Sequence, residues 1–373
     1  MIMTLKVLSS AFNFQQGASK ASAKLSEEDQ RYRVVRPPSL IQYLGYMACA
    51  GNLLSGPHLE LRDYIAYTGG AEEFADINKK GRAGDALRRT RCPAWPGRPC
   101  PTALLFLVLG TCRAPSALLP AARKVASSLL SFGLHMALSA RFPVSALEAP
   151  PLNTPSRSVQ QWLQTAAYLW MIAVAYRLKY YFAWGLGEAS MVASGFGYEG
   201  PAGSAGASWE RACNAHPLQV EFSTSARAIT QHWNIQTGRW LRRYVYDRLA
   251  GSPVLRALRL LITQLVCGVW HGVFAGYWLF FAATALMFET ATVLFKYEQW
   301  VGKGPLRYPF KVFLFLLTGF HLNYIGSSFM VLHLGPAVAI YRALYWTGHI
   351  SMVFWLLLGR VVRPPRQGKA KRA

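Results

Sequence analysis

The run from Leu258 to Phe295 stays apolar over far more residues than the roughly 20 that one membrane crossing requires. It predicts either one tilted helix with an interfacial extension or two crossings joined by a tight turn. Spanning stretches lie near 160–184, 258–283 within that run, 307–332 and 336–358, and weaker ones near 40–56, 102–121 and 125–140. Their helix-forming and aromatic residues predict helices throughout. With 52% of its 373 residues hydrophobic and only 15% charged, the chain carries too much apolar matter for an ordinary soluble or disordered domain. The expected fold is all-α: a polytopic transmembrane helix bundle with interfacial amphipathic helices, a single membrane domain over residues 1–373.

The formal charge of +23 would suggest nucleic acid as partner in a soluble protein. Here the basic residues flank apolar runs, as cytosolic loops do, so no nucleic-acid partner is expected. Arg239, Arg242, Arg243 and Arg248 form one dense cluster, and the tail from Arg360 to Arg372 forms another, within a basic cytosolic segment over 360–373. If both are cytosolic, an even number of crossings separates them. Met1 to Phe14 lacks the basic start and the cleavage site of a signal sequence and reads as part of a membrane helix. The six cysteines show neither Cys-x-x-Cys pairs nor histidines at zinc-site spacing, so no disulfide framework and no metal is expected. Gly81 to Pro101 turns abruptly to Arg, Gly, Pro and Cys, and residues 197–209 read as a flexible Gly/Ala/Ser loop.

Chemistry points first to His271, near the middle of the apolar LVCGVWHGVFAGYWLFF. An ionisable side chain there is costly and faces a bundle interior or a wet cavity. Gly268, Gly272 and Gly276 recur around it every four residues, a smooth stripe for a packed helix or a ligand chain. The second feature is Ala226 to Leu249, read as one amphipathic surface helix with Ile229, Trp233, Trp240, Tyr244 and Val245 near one face and the arginines largely elsewhere. Its basic face suits anionic headgroups or a polyphosphate cofactor, or is a solvated cytosolic face. Asn234, beside Trp233, reads from its type alone as a cap or a hydrogen-bonded packing residue.

His58 and Asp63 in GPHLELRD have the spacing of an acyltransferase His/Asp pair, without the phosphate-binding motifs that should follow, so a turn after Gly56-Pro57 is the default. His321 and Asn323 in GFHLNYIGSSF either line a cavity or make interhelical hydrogen bonds. The absence of His-Glu-x-x-His, Walker and Gly-x-Ser-x-Gly sequences argues against a zinc protease, a nucleotide hydrolase and an α/β-hydrolase.

WHGVFAGYWLFF (Trp270 to Phe281), preceded by WNIQTGRWLRRYVYDRL (Trp233 to Leu249), resembles the membrane-bound O-acyltransferase (MBOAT) family in its lysophospholipid acyltransferase branch. MTLKVLSSAFNFQQG, PPSLIQYLGYMACAGNLLSGPHLELRDY and RLKYYFAWGLGEAS agree, in the order that branch has them, and the resemblance covers most of 1–75 and 160–360. Two features depart from it. The family has helices upstream of the segment matching Met3, and residues 81–122 are atypical, an insert or a gene-model artefact.

The resemblance implies Asn234 and His271 as the active-site pair, acyl-CoA as co-substrate with no bound cofactor, and a lysophospholipid as acceptor. An imidazole in apolar surroundings is favoured in the neutral form, which takes a proton from an alcohol, so His271 is the expected general base. The Asn234 amide would hold the developing oxyanion or orient the substrate. Trp233, Trp270, Gly272 and Gly276 are expected to line the substrate site, with Arg239, Arg242 and Arg243 guiding the CoA phosphates. KAKRA (Lys369 to Ala373) is similar to a dibasic retrieval tail and implies the endoplasmic-reticulum membrane. The alternatives are another branch of the family acting on a sterol, diacylglycerol or protein, an inactive truncated product, and a non-enzymatic transporter or scaffold. A homo-oligomer is left open.

Overall fold

A computed structural model describes residues 2–18, 25–49, 52, 56–71, 74, 116–199, 208–251, 256–302 and 304–362. The segment from Gly81 to Pro101, most of the weak span at 102–121 and the KAKRA tail lie outside these residues. The described chain is all-helical, and its extended pairing is confined to two isolated bridges. The helices are α1 (Ile2–Ala18), α2 (Glu27–Tyr32), α3 (Leu40–Met47), α4 (Leu61–Gly69), α5 (Leu118–Arg141), α6 (Val159–Ala193) and α7 (Pro217–Glu221). They continue with α8 (Ala226–His232), α9 (Ile235–Leu241), α10 (Arg256–His271), α11 (Ala275–Val301), α12 (Arg307–Val331), α13 (Leu334–Ala343) and α14 (Thr347–Val361).

Local chemistry starts several of them. Ser39 caps α3 with a reciprocal box to Gln42, and the Ser225 hydroxyl accepts from the Ala228 N–H at 3.2 Å to open α8. Pro217 stands in the first turn of α7, where its missing N–H costs nothing.

Two helices among those described, α11 and α12, are both long and apolar enough to cross a membrane. The expected span at 160–184 lies inside α6, a helix of 35 residues. The two others are divided. The 258–283 stretch breaks between α10 and α11, and the 336–358 stretch breaks between α13 and α14, where Tyr345 and Trp346 take positive φ. Of the two readings offered for the long run after Leu258, the structure has two helices and a tight turn.

The described chain forms two compact units. One comprises Ser128–Ala183 and the chain from Asn214 onward. Its core is built from one face of each long helix: Leu169, Ile172 and Ala173 of α6, Ala283, Met287 and Ala291 of α11, and Tyr324 and Ile325 of α12. The spacings of three and four residues along α6 and α11 are those of helix faces. Ile340, Tyr341 and Met352 close it from α13 and α14.

The other unit comprises Ile2–Ser127 and Trp184–Cys213, with Tyr46, Leu61, Phe74, Met191 and Phe196 in its core. Its α1 buries a mostly polar face: Lys6, Ser9, Ser10, Asn13 and Gln16 are buried along with Ile2 and Leu5, while Met3, Val7 and Leu8 are exposed. The Lys6 ammonium donates to the carbonyls of Tyr46 (2.6 Å) and Met47 (3.3 Å) and to Asn52 Oδ1 (2.8 Å), so its three protons are satisfied without a carboxylate.

Candidate active site

α10 stops at His271 because the next residue, Gly272, takes φ +126°, which side chains with a Cβ rarely adopt. The chain turns through Val273 and Phe274, and α11 opens at Ala275. The Gly276 N–H donates to the Leu332 carbonyl at 2.7 Å, and a Cβ at Gly276 would stand 2.1 Å from the Ser328 carbonyl oxygen. Gly276 is therefore the contact that clamps the turn onto the end of α12. The expected stripe does not exist as one helix face, since Gly268 ends up on α10, Gly272 in the turn and Gly276 on α11.

This turn sets the His271 ring among Tyr277, Phe281 and Phe329, with centroids 5.5, 5.1 and 5.2 Å away. The ring is half-buried, and no described residue hydrogen-bonds its nitrogens. An imidazole held by ring contacts alone keeps its proton-accepting nitrogen available. Beside it, the Trp270 indole N–H is buried without an acceptor among the described residues.

The second motif departs from its expectation in a way that matters. Ala226 to Leu249 is not one amphipathic helix. It breaks at Asn234, which takes φ 48° and ψ 49°, between α8 and α9, and then passes into a π-helical turn at Arg242–Tyr246 and a 3-10 turn at Arg248–Gly251. Asparagine is among the few non-glycine residues that tolerate this left-handed conformation. The Asn234 carbonyl accepts from the Gly238 N–H at 2.9 Å, while its side chain makes no cap to α9. The amide oxygen instead accepts from Asn214 Nδ2 at 3.2 Å.

No hydrogen bond joins Asn234 to His271; their neighbours connect them. Trp240 of α9 meets Trp270 edge to face at 5.8 Å. Trp233 packs on Tyr180 and Tyr181 at 5.6 Å each, and Tyr180, Tyr176 and Phe329 continue the chain of rings at 5.8, 6.2 and 5.2 Å to His271.

The three arginines do not share one environment. Arg239 and Arg242 are exposed, with Arg242 near Asp247 at 3.7 Å, whereas Arg243 is buried with its guanidinium over the Tyr244 ring. Asn323 accepts from Arg177 at 2.8 Å, and His321 is hydrogen-bonded to the Ser351 hydroxyl, which is the interhelical bonding expected of both. His58 and Asp63 take different partners, the Ser9 hydroxyl at 3.3 Å and Arg31 at 4.0 Å.

Sequence reasoning missed the assembly around Arg177. Its guanidinium makes a two-pronged contact with Glu221 at 2.7 and 2.6 Å, and the Tyr181 hydroxyl donates to the same carboxylate at 2.7 Å. The signal available was a charged residue inside an apolar stretch, in RLKYY. It also missed Asn214, which no local pattern marks.

Among the described residues the site therefore offers a half-buried imidazole without a hydrogen bond and, linked to it through aromatic rings, an asparagine held in the left-handed conformation. The family model for "MBOAT, membrane-bound O-acyltransferase family" matches residues 2–323. Lysophospholipid acyltransferase 2 of Arabidopsis thaliana is 32% identical over 370 residues, covering 97% of this chain and 71% of the relative. Lysophospholipid acyltransferase 1 of the same plant is 32% identical over 378 residues, covering 100% and 73%. Human membrane-bound glycerophospholipid O-acyltransferase 2 is 28% identical, covering 98% and 65%. The chain belongs to the membrane-bound O-acyltransferase family and is an acyltransferase.

Proposed function

We propose that this chain transfers a fatty acyl group from acyl-CoA to the free glycerol hydroxyl of a lysophospholipid, with His271 as general base and Asn234 as the donor to the oxyanion. The observation that carries the roles is the His271 imidazole, enclosed by three aromatic rings and free of hydrogen bonds to the described residues. The imidazole takes the hydroxyl proton as the oxygen bonds to the thioester carbonyl carbon. The negative charge passes to the carbonyl oxygen, where an amide N–H stabilises it. Collapse breaks the C–S bond, and the thiolate recovers the proton from the imidazolium. A thiolate is a good leaving group, so the transfer needs no acyl-enzyme, and initial-rate lines for the two substrates intersect. Parallel lines would contradict direct transfer.

The polytopic membrane bundle belongs to the same proposal. On α14, Ile350, Val353, Phe354, Leu357 and Val361 form an exposed apolar stripe. On α12, Val312, Phe313 and Leu316 face outward while His321, Asn323, Ser327 and Ser328 are buried. Polar inside and apolar outside is the arrangement lipid favours. Arg239 and Arg242, exposed at the surface, are the residues proposed to guide the CoA phosphates, and the membrane of the endoplasmic reticulum is the proposed location. The test is labelled acyl-CoA offered to lysophospholipids, a sterol and diacylglycerol in membranes of an acyltransferase-deficient host expressing the chain. Label in the phospholipids alone supports the reading, and label only in the sterol or triacylglycerol replaces it with another branch of the family.

A further inference from the structure

We propose that Asn214 is the positioning residue of this site, fixing which end of the Asn234 amide faces the substrate. The inference rests on the reading of Asn234 given above. Asn214 is buried, at 1% exposure, and holds the start of α9 at three points. Its carbonyl accepts from the Ile235 N–H at 2.9 Å, its Oδ1 accepts from the Gln236 N–H at 3.1 Å, and its Nδ2 donates to Asn234 Oδ1 at 3.2 Å.

The polarity of this relay is not arbitrary. Oxygen and nitrogen of an amide are interchangeable in shape, so only their partners decide which is which. A backbone N–H can only donate. The Gln236 N–H therefore makes its partner on Asn214 the oxygen, and the other end of the Asn214 amide must be the NH2 group. That group can only donate, so the atom it meets on Asn234 must be the oxygen. The Asn234 NH2 is left as the outward group, and it has no partner among the described residues. One backbone N–H, two residues beyond Asn234, thereby makes Asn234 a hydrogen-bond donor to the reaction. Of the two roles the sequence leaves to it, oxyanion donor and general substrate orienter, the relay selects the first.

Reversing the relay should reverse the effect. In Asn214→Asp the carboxylate still accepts from Gln236 but cannot donate. It attracts the Asn234 NH2, flips that amide and presents its carbonyl oxygen to the oxyanion. Protonation of the aspartate restores a donor.

The experiment measures acyl transfer in membranes by Asn214→Asp, Asn214→Ala, Asn234→Ala and the Asn214→Ala/Asn234→Ala double variant, each at equal protein level. The expected result is a fall in kcat on the order of 100-fold for both Asn214 variants, with the KM for lysophospholipid little changed. The Asn214→Asp rate, divided by that of the unsubstituted chain at each pH, should rise as pH falls from about 8 to about 5.5, toward the carboxyl range. Adding Asn214→Ala to Asn234→Ala should cost nothing further. A flat pH ratio, or additive losses in the double variant, would make Asn214 an ordinary structural residue and overturn the proposal. So would full activity of the Asn214 variants beside an inactive Asn234→Ala. If Asn214→Ala fails to accumulate, the Asn214→Asp profile decides alone, and if neither accumulates the residue serves folding and the proposal falls. Full activity of Asn234→Ala would instead sink the reading of Asn234 on which this one stands.

Discussion

Asn234 and His232, two residues apart, obtain their properties from the strand-like crossing of residues 214–216 with 232–235. Ala215 bridges Trp233, and the His216 N–H donates to the His232 carbonyl at 2.9 Å. The two imidazoles lie 5.3 Å apart, and His232 Nδ1 is buried without a hydrogen bond among the described residues. Burial, then the neighbouring His216, hold the His232 pKa below the ordinary histidine value. A depressed folded value means the unfolded segment binds the proton more readily, so stability is intact above about pH 6.5 and is lost as pH falls through that range. Protection factors across residues 226–241, with exchange corrected for its intrinsic pH dependence, should fall between about pH 7.5 and about pH 5.5, and the fall should vanish in His232→Gln. Equal protection factors at both pH values would remove His232 as the cause. The motifs of the sequence are what single out His271 and Asn234 as the proposed pair. The left-handed backbone at Asn234 and the bracing by Asn214 were not legible there, because a contact across 20 residues leaves no local period.

At the scale of elements, long apolar periodicity located the helices well and their interruptions poorly. α12 occupies the expected 307–332, and α6 contains the expected 160–184. The Ala226–Leu249 helix failed because amphipathic spacing survives a break that preserves the phase of the two faces, and nothing in the spacing marks a left-handed residue. The turn at Gly272 separates α10 from α11 within continuous apolar sequence, where hydropathy has no contrast to report. Gly276→Ala should push the α11 start away from α12, since its Cβ would meet the backbone oxygens of both Ser328 and Leu332. We expect a lower Tm in detergent and at least a tenfold loss of transfer through displacement of His271, a 1 Å shift costing on the order of 100-fold. Unchanged Tm and rate would show that the clamp is dispensable. Glu221→Ala leaves the Arg177 guanidinium buried and unpaired, a loss of about 3–5 kcal/mol, read as a lower thermal midpoint. Stability equal to the unsubstituted chain would show that Asn323 and water suffice for Arg177.

For the whole molecule, composition alone argues for lipid as the solvent, and the outward apolar stripes of α12 and α14 with the buried polar residues of α12 agree with it. The chain should therefore remain with the membrane after alkaline carbonate extraction and be released by detergent, whereas release by carbonate would contradict a bundle that spans the bilayer. The central claim is that a single uncommitted imidazole carries the proton in acyl transfer to a lysophospholipid. The measurement that tests it most directly compares this chain with His271→Ala, at equal accumulation in acyltransferase-deficient membranes, for transfer from labelled acyl-CoA to a lysophospholipid. The account predicts transfer by the unsubstituted chain and a loss on the order of 100-fold or more in the variant, the range of a general base. Equal transfer by both proteins would contradict it.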